Sequence, residues 1–296
     1  MHRRQFVALA PVLLSASLAP AAAAPHRGFA RGAEVMPPIG LGTWLTFNVG
    51  DDTTQQQQRR EVLQRFFAAG GGMIDSSPMY GRAEWLLGQL LPSVPHQGHL
   101  IAASKVWTPF DRWGPSQLEE SLKLWGLPRF DVLLVHNLLN WRAHLKTLRQ
   151  WKEQGRVRFI GISTSHGRAH DEVERLLRTE TLDVLQITYN LADARAEPLL
   201  ELAAERGLGV VINRPLDGGA LFDRVGGRAP PEWAAEFDAH TWAQCLLKWV
   251  VSHPAVSCAI PATRVPGHLD DNMAAGRGRM PDAAQRRRLQ VLLAQA

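Results

Sequence analysis

The sequence predicts an α/β protein of the (β/α)8 TIM-barrel class, and three observations lead there. Eight short apolar runs follow one another along the chain: MPPIGLGTW, GMIDSS, HLIAASKV, FDVLLVHN, RFIGISTS, TLDVLQITYN, GVVINRPL and VSCAIPAT. Stretches of helical periodicity separate them. Glycine follows several of those stretches, in AAGGG, KEQG and AERG, where it supplies the left-handed residue that ends a helix. Strands that each lead into a helix, closed into a barrel, are the architecture this rhythm favours.

The elements follow in order. MPPIGLGTW leads through a polar loop into a helix over Thr54–Ala69, whose start is the polar run Gln55–Gln58. GMIDSS leads into Ala83–Leu91, HLIAASKV into Ser116–Trp125, and FDVLLVHN into Trp141–Gln154. RFIGISTS precedes Arg168–Arg178, TLDVLQITYN precedes Glu197–Arg206, and GVVINRPL precedes a long helix over Glu232–Val251. After VSCAIPAT, VPGHLDDNMAAG reads as a helix start with Asp in its first turns. A doubly wound dinucleotide sheet competes, but IGLGTW has two of the glycines of a GxGxxG turn and lacks the third.

The 296 residues, 45% apolar and 21% charged, suffice for a full core. Residues 25–296 read as one domain, with no repeat or linker dividing them. The net charge of +5 is spread among alternating basic and acidic residues, so there is no footprint for a nucleic acid. Residues 1–24 differ in character: MHRRQF is followed by an Ala-rich apolar stretch ending in small residues, a secretory layout with cleavage near Ala23 or Ala24. Arg3 and Arg4 resemble a twin-arginine motif, which makes the export machinery a partner and the periplasm the expected destination. Pro11 and Pro20 make the stretch a poor spanning helix, so no stable membrane insertion of the mature chain is expected. Cys245 and Cys258 read as isolated buried thiols more readily than as a disulfide. His166 and His170 are spaced four apart but have no evident third ligand, so no metal is expected.

Four polar residues stand at or just beyond apolar runs: Asp75 and Tyr80 in IDSSPMYG, Lys105 in AASKVW and His136 in LLVHN. Strand ends on one rim of a barrel are where a site assembles from distant sequence. A phenol beside an ammonium and an imidazole can give a proton to a carbonyl oxygen, because a nearby cation lowers a tyrosine's pKa. Taken singly, each has a plainer reading: DSS as a helix cap, the tyrosine as packing, the lysine in a structural pair, the histidine bonded to backbone.

From about Val35 to Ala275 the chain resembles the aldo-keto reductase superfamily. GLGTW, IDSSPMYGRAEWLLG, SKV, VHN, GIS, QITYN, NRPLDGGAL and IPATRVPGHLDDN occur in that family's order. The resemblance implies hydride transfer from a reduced nicotinamide to an aldehyde or ketone, a small-molecule carbonyl substrate. Tyr80 would be the proton donor, Lys105 the cation beside it, Asp75 the group holding the ammonium, and His136 the residue orienting the carbonyl. It implies cofactor contacts at Thr43, Trp44, Ser163, Gln186, Asn213, Arg214, Leu216, Thr263, Arg264, His268, Asp271 and Asn272. Arg264 beside a hydroxyl suits a 2′-phosphate, so NADP (NADPH) is preferred over NAD. The chain departs from the family's pattern at Asn213, where a stacking aromatic is common, at Thr164 in place of Asn, and at Ala262 in place of Lys. Trp44, Phe47, Trp107, Phe110 and Trp113 are candidates for an aromatic pocket wall. An exported barrel that holds a ligand or cofactor as a partner subunit, without turnover, is the alternative function. An aldolase using Lys105 as a Schiff base leaves Tyr80 without a role.

Overall fold

A computed structural model describes residues 36–96 and 98–295. The leader and its cleavage site lie outside those residues. Eight parallel strands pair in sequence order. They are β1 (Leu41–Gly42), β2 (Met73–Asp75), β3 (Ile101–Val106), β4 (Phe130–His136), β5 (Val157–Ser163), β6 (Val184–Thr188), β7 (Gly209–Asn213) and β8 (Cys258–Ala259). The ring closes between the first and last strands: Ile39 pairs with Ala259 and Gly42 with Ala262, in parallel register. The Gly40 amide donates to the Ala259 carbonyl at 2.8 Å, and the Gly42 amide to the Pro261 carbonyl at 3.1 Å. A side chain at Gly42 would lie 2.8 Å from the Ile260 carbonyl oxygen, so closure at this seam requires glycine.

Each predicted apolar run coincides with one strand, β5 starting one residue ahead of its run at Val157. The helices around the barrel are α1 (Thr53–Ala68), α2 (Ala83–Leu90), α3 (Gly114–Trp125), α4 (Trp141–Glu153), α5 (His170–Thr179), α6 (Glu197–Glu205), α7 (Ala220–Val225), α8 (Trp242–Val251), α9 (Pro266–Ala274) and α10 (Ala283–Ala294). The predicted continuous helix Glu232–Val251 is broken. A 3-10 segment spans Glu232–Phe237, Asp238 turns left-handed at φ 53°, and Thr241 starts a new helix by accepting the Gln244 amide. That hydroxyl satisfies an amide that a helix start leaves orphaned, so a new start at Thr241 is stable.

The core has two layers. Val62, Phe66, Leu118, Leu145 and Leu176 belong to the larger one, which packs the helices onto the outside of the sheet. Met36, Met73, Ala103, Val132, Leu134, Val184, Val211, Cys258 and Ile260 form a smaller cluster inside the barrel. The inner layer positions the site. Side chains alternate across a strand, so the residue two beyond an inward one also points inward. Two residues past Met73, Ala103, Leu134, Val184 and Val211 come Asp75, Lys105, His136, Gln186 and Asn213. The interior thus changes from apolar to polar at one level, the C-terminal rim. Among the described residues no helix is long and apolar enough to cross a membrane.

Candidate active site

Asp75 lines a cleft of about 1200 Å³ at that rim, and Lys105 lies buried behind it. Lys105 is fully buried, and its Nζ donates to Asp75 Oδ1 at 2.8 Å, Asp75 Oδ2 at 2.7 Å and the Ser76 carbonyl at 2.7 Å. Three acceptor atoms thus surround the ammonium, and Tyr80 is a further hydrogen-bonding neighbour. Burial disfavours the charge, but Asp75 and then Tyr80 outweigh it, and the ammonium is held above its ordinary pKa. Gln186 Nε2 donates to Asp75 Oδ1 at 2.8 Å, which adds a neutral donor to the carboxylate.

Tyr80 stands above this pair, with Lys105 Nζ 5.1 Å from its ring centroid. The expected lowering of its pKa is reversed: burial raises it, Lys105 pulls it down, and Asp75 pushes it up again. Burial is the largest of these influences, and with Asp75 it outweighs the cation, so the phenol stays neutral at pH 7. The Tyr80 and His136 rings meet edge to face at 5.8 Å. His136 Nδ1 lies 2.9 Å from Ser77 Oγ, which leaves Nε2 for the cleft. Burial, then the Lys105 charge, holds this imidazole neutral down to about pH 2.

The rest of the cleft is less satisfied. Ser163 Oγ, Thr164 Oγ1 and Arg214 Nε are buried without a hydrogen-bond partner, and all three residues line the cavity. Arg214 has a left-handed backbone, with its carbonyl accepting from Asn190 Nδ2 at 3.1 Å. Its guanidinium meets Asp217 at 2.9 Å and lies 5.9 Å from the Trp44 ring. Asn213 accepts from Thr188 Oγ1 at 2.6 Å and donates to the Thr164 carbonyl at 2.8 Å, a polar tie across three strands.

Thr43, Trp44, Leu216, Thr263, His268, Asp271 and Asn272 also line the cleft. Thr43 Oγ1 sits 2.9 Å from both the Asp75 carbonyl and Ser76 Oγ. Asp271 is committed to Thr241 and Gln244. Arg264 lies outside the lining on an exposed loop, within charge range of Arg59. The expected aromatic wall is mostly absent. Phe47 is in the core, and Trp107, Phe110 and Trp113 lie outside the cleft on the exposed β3–α3 connection. There the Trp107 backbone is pinned by Gln117, and Phe110 packs on Trp113 at 4.6 Å. Trp44 is joined in the wall by Met79, Phe222 and Trp242. Both cysteines are free and buried, and burial pushes the Cys245 thiol up to about 12. Among the described residues no group of His, Cys, Asp or Glu converges as a metal site.

Ser77, the partner of His136, was not singled out by the sequence. Its signal was present, because Ser77 lies two residues beyond Asp75 and so shares its parity past the end of β2. Nothing in the linear sequence indicates that the imidazole would be its partner.

A family model described as the aldo/keto reductase family matches residues 38–287. The chain belongs to the aldo/keto reductase family. It is an oxidoreductase of that family on a (β/α)8 barrel. The methylglyoxal reductase YeaE of Escherichia coli is 25% identical over 245 residues, covering 81% of this chain and 85% of that one. An aldo/keto reductase from Klebsiella pneumoniae, solved in complex with NADP and acetate, superposes with a TM-score of 0.74 at 26% identity over 90% of this chain and 94% of that one. A second Klebsiella pneumoniae structure, in complex with NADPH, gives a TM-score of 0.71 at 25% identity, over 90% and 93%.

Proposed function

We propose that the chain is an NADPH-dependent carbonyl reductase with Tyr80 as proton donor. The observation that carries this reading is a neutral phenol that stands over a buried, hydrogen-bonded ammonium and lines a cleft with unpartnered polar atoms. Ser163 Oγ can donate or accept, and Gln186 keeps Oε1 free once its nitrogen is given to Asp75, so the two suit a carboxamide. Arg214 Nε suits a phosphate oxygen. These groups fit a nicotinamide dinucleotide, which when bound supplies hydride to the carbonyl carbon. The NADP and NADPH held by the two Klebsiella pneumoniae structures support the same coenzyme here. Arg264, with Arg59 in charge range, supports preference for the 2′-phosphorylated form.

Tyr80 gives its proton to the substrate oxygen, and Lys105 stabilises the tyrosinate left behind. Asp75 keeps Lys105 charged and in place. With Ser77 donating to Nδ1, His136 presents Nε2–H to the same oxygen. The imidazole orients and polarises the carbonyl without carrying charge. Trp44, Met79, Phe222 and Trp242 favour an apolar or ring-bearing substituent. Arg3 and Arg4 support export of the folded protein through the twin-arginine route. A leader fusion to a reporter active only outside the cytoplasm, with Arg3 and Arg4 replaced by Lys, tests that part. For the chemistry, purified protein should oxidise NADPH in the presence of methylglyoxal, the aldehyde in the relative's name, or of a ring-bearing aldehyde. No turnover with any short or aromatic aldehyde would overturn the assignment.

A further inference from the structure

Behind the site, on the helix side of the sheet, lies a buried carboxylate that the proposed chemistry does not use. Glu84 is the second residue of α2 and only 2% exposed. Its oxygens accept from Ser104 Oγ at 2.5 Å, Ser121 Oγ at 2.8 Å and Trp125 Nε1 at 3.2 Å. Every donor is neutral, and no ion pair to Glu84 occurs among the described residues. Burial raises the pKa of this carboxyl, while the three donors and then the Lys105 charge pull it part of the way back down; a buried carboxyl tied by three neutral donors and by no direct ion pair marks a specific structural demand.

The elements joined show what is demanded. Ser104 immediately precedes Lys105 on β3, and the two side chains point to opposite faces of the sheet. Glu84 grips the strand from behind at the residue before the catalytic lysine. Its own helix begins directly after the Tyr80 turn, in which the Tyr80 amide donates to the Ser77 carbonyl at 2.9 Å and the Ala83 amide to the Tyr80 carbonyl at 3.3 Å. Ser121 and Trp125 lie on α3, which α2 crosses closely at Gly88. A side chain at Gly88 would sit 1.8 Å from the Leu124 carbonyl oxygen. The crossing brings α3's donors within reach of Glu84, so strand and both helices meet at one carboxylate.

Resting on the function proposed above, we infer that Glu84 is a positioning residue for proton delivery. By bolting the start of α2 to β3 and α3, it sets the separation of the Tyr80 phenol from the Lys105 ammonium. Displacing a reacting group by about 1 Å can cost on the order of a hundredfold in rate. The bond to Ser104 joins the strand of one partner to the helix that starts behind the other.

The test reads Tyr80 directly. The chain has two tyrosines, so protein labelled with carbon-13 at the tyrosine ζ position gives two resonances, assigned by Tyr80→Phe. Glu84→Ala should move and broaden the Tyr80 resonance while leaving that of Tyr189 in place. Glu84→Gln, which keeps an acceptor for Trp125 and Ser104 and can donate to Ser121, should restore it. In steady-state assays Glu84→Ala should lower kcat at least about tenfold with KM for NADPH within about twofold, and Glu84→Gln should recover most of kcat. Ser104→Ala, which removes only the strand-side bond, should shift the resonance in the same direction by less, and it decides the matter alone if Glu84→Ala does not fold. An unmoved Tyr80 resonance in Glu84→Ala, or in Ser104→Ala when that variant decides, overturns the inference. A moved resonance in a protein that reduces no aldehyde upholds the positioning role and overturns the function instead.

Discussion

The two halves of the cleft are built on opposite principles. Around Asp75, Lys105 and His136 the polar groups satisfy one another: three acceptors for the ammonium, a glutamine and a lysine on the carboxylate, a serine on the imidazole. Around Ser163, Thr164 and Arg214 the buried Oγ, Oγ1 and Nε atoms lack partners. An unpaired buried polar group costs stability. The first half is finished before any ligand arrives. The second leaves groups that the proposed cofactor would partner, and substitutions should separate the two.

The largest expected effect is on chemistry. Tyr80→Phe should lower the single-turnover rate by about 10²- to 10⁴-fold, the usual worth of a positioned acid, while NADPH affinity by fluorescence titration stays within about twofold. Equal rates in the two proteins would remove Tyr80 as proton donor. Next comes folding: Lys105→Met leaves Asp75 buried without its cation and should cost about 3–5 kcal/mol in urea denaturation. Ser163→Ala should leave stability unchanged or slightly higher, and the contrast fails if both behave alike. In the open half, Ser163→Ala and Arg214→Ala should each weaken NADPH by about tenfold, the worth of one hydrogen bond to a charged or amide group. The smallest effect is expected at Arg264, where exposure limits the gain from charge. Arg264→Ala should reduce the preference for NADPH over NADH by about threefold, on the order of 0.7 kcal/mol, and no change would remove it from the site.

The finished half also sets a pH dependence. His136 is held neutral in the fold to about pH 2, whereas in the unfolded chain it takes up a proton near pH 6.5. Between those values the unfolded state binds more protons, so this residue's contribution to stability is present above about pH 6.5 and is lost as pH falls. His136→Gln should flatten the acid side of the stability profile, measured by denaturation at successive pH values. Activity should show no acid limb belonging to this histidine.

Most of the architecture was legible because strand-ending motifs sit at the same step of an alternating pattern. Asp75, Lys105, His136 and Gln186 each lie two residues beyond an apolar inward neighbour, and period-two alternation carries them to one rim whatever the helices do. The broken helix at Asp238 was not legible, because Thr241 starts a new helix inside a stretch whose composition is helical throughout. The aromatic wall failed for a related reason. Trp107 follows its strand as a wall residue should, but Gln117 holds its backbone in a different turn.

The linear order of residues determined the barrel, its rim and the types of group that reach it, because alternation and helix-ending glycines act locally. Tertiary structure alone decided which groups meet. Ser77 finds His136 across 59 residues, and Glu84 finds Ser121 across 37. Only the fold could decide the sign at Tyr80, where burial and Asp75 outweigh the lysine beside it. Those outcomes depend on distance and on exclusion of water, which are properties of the packed molecule.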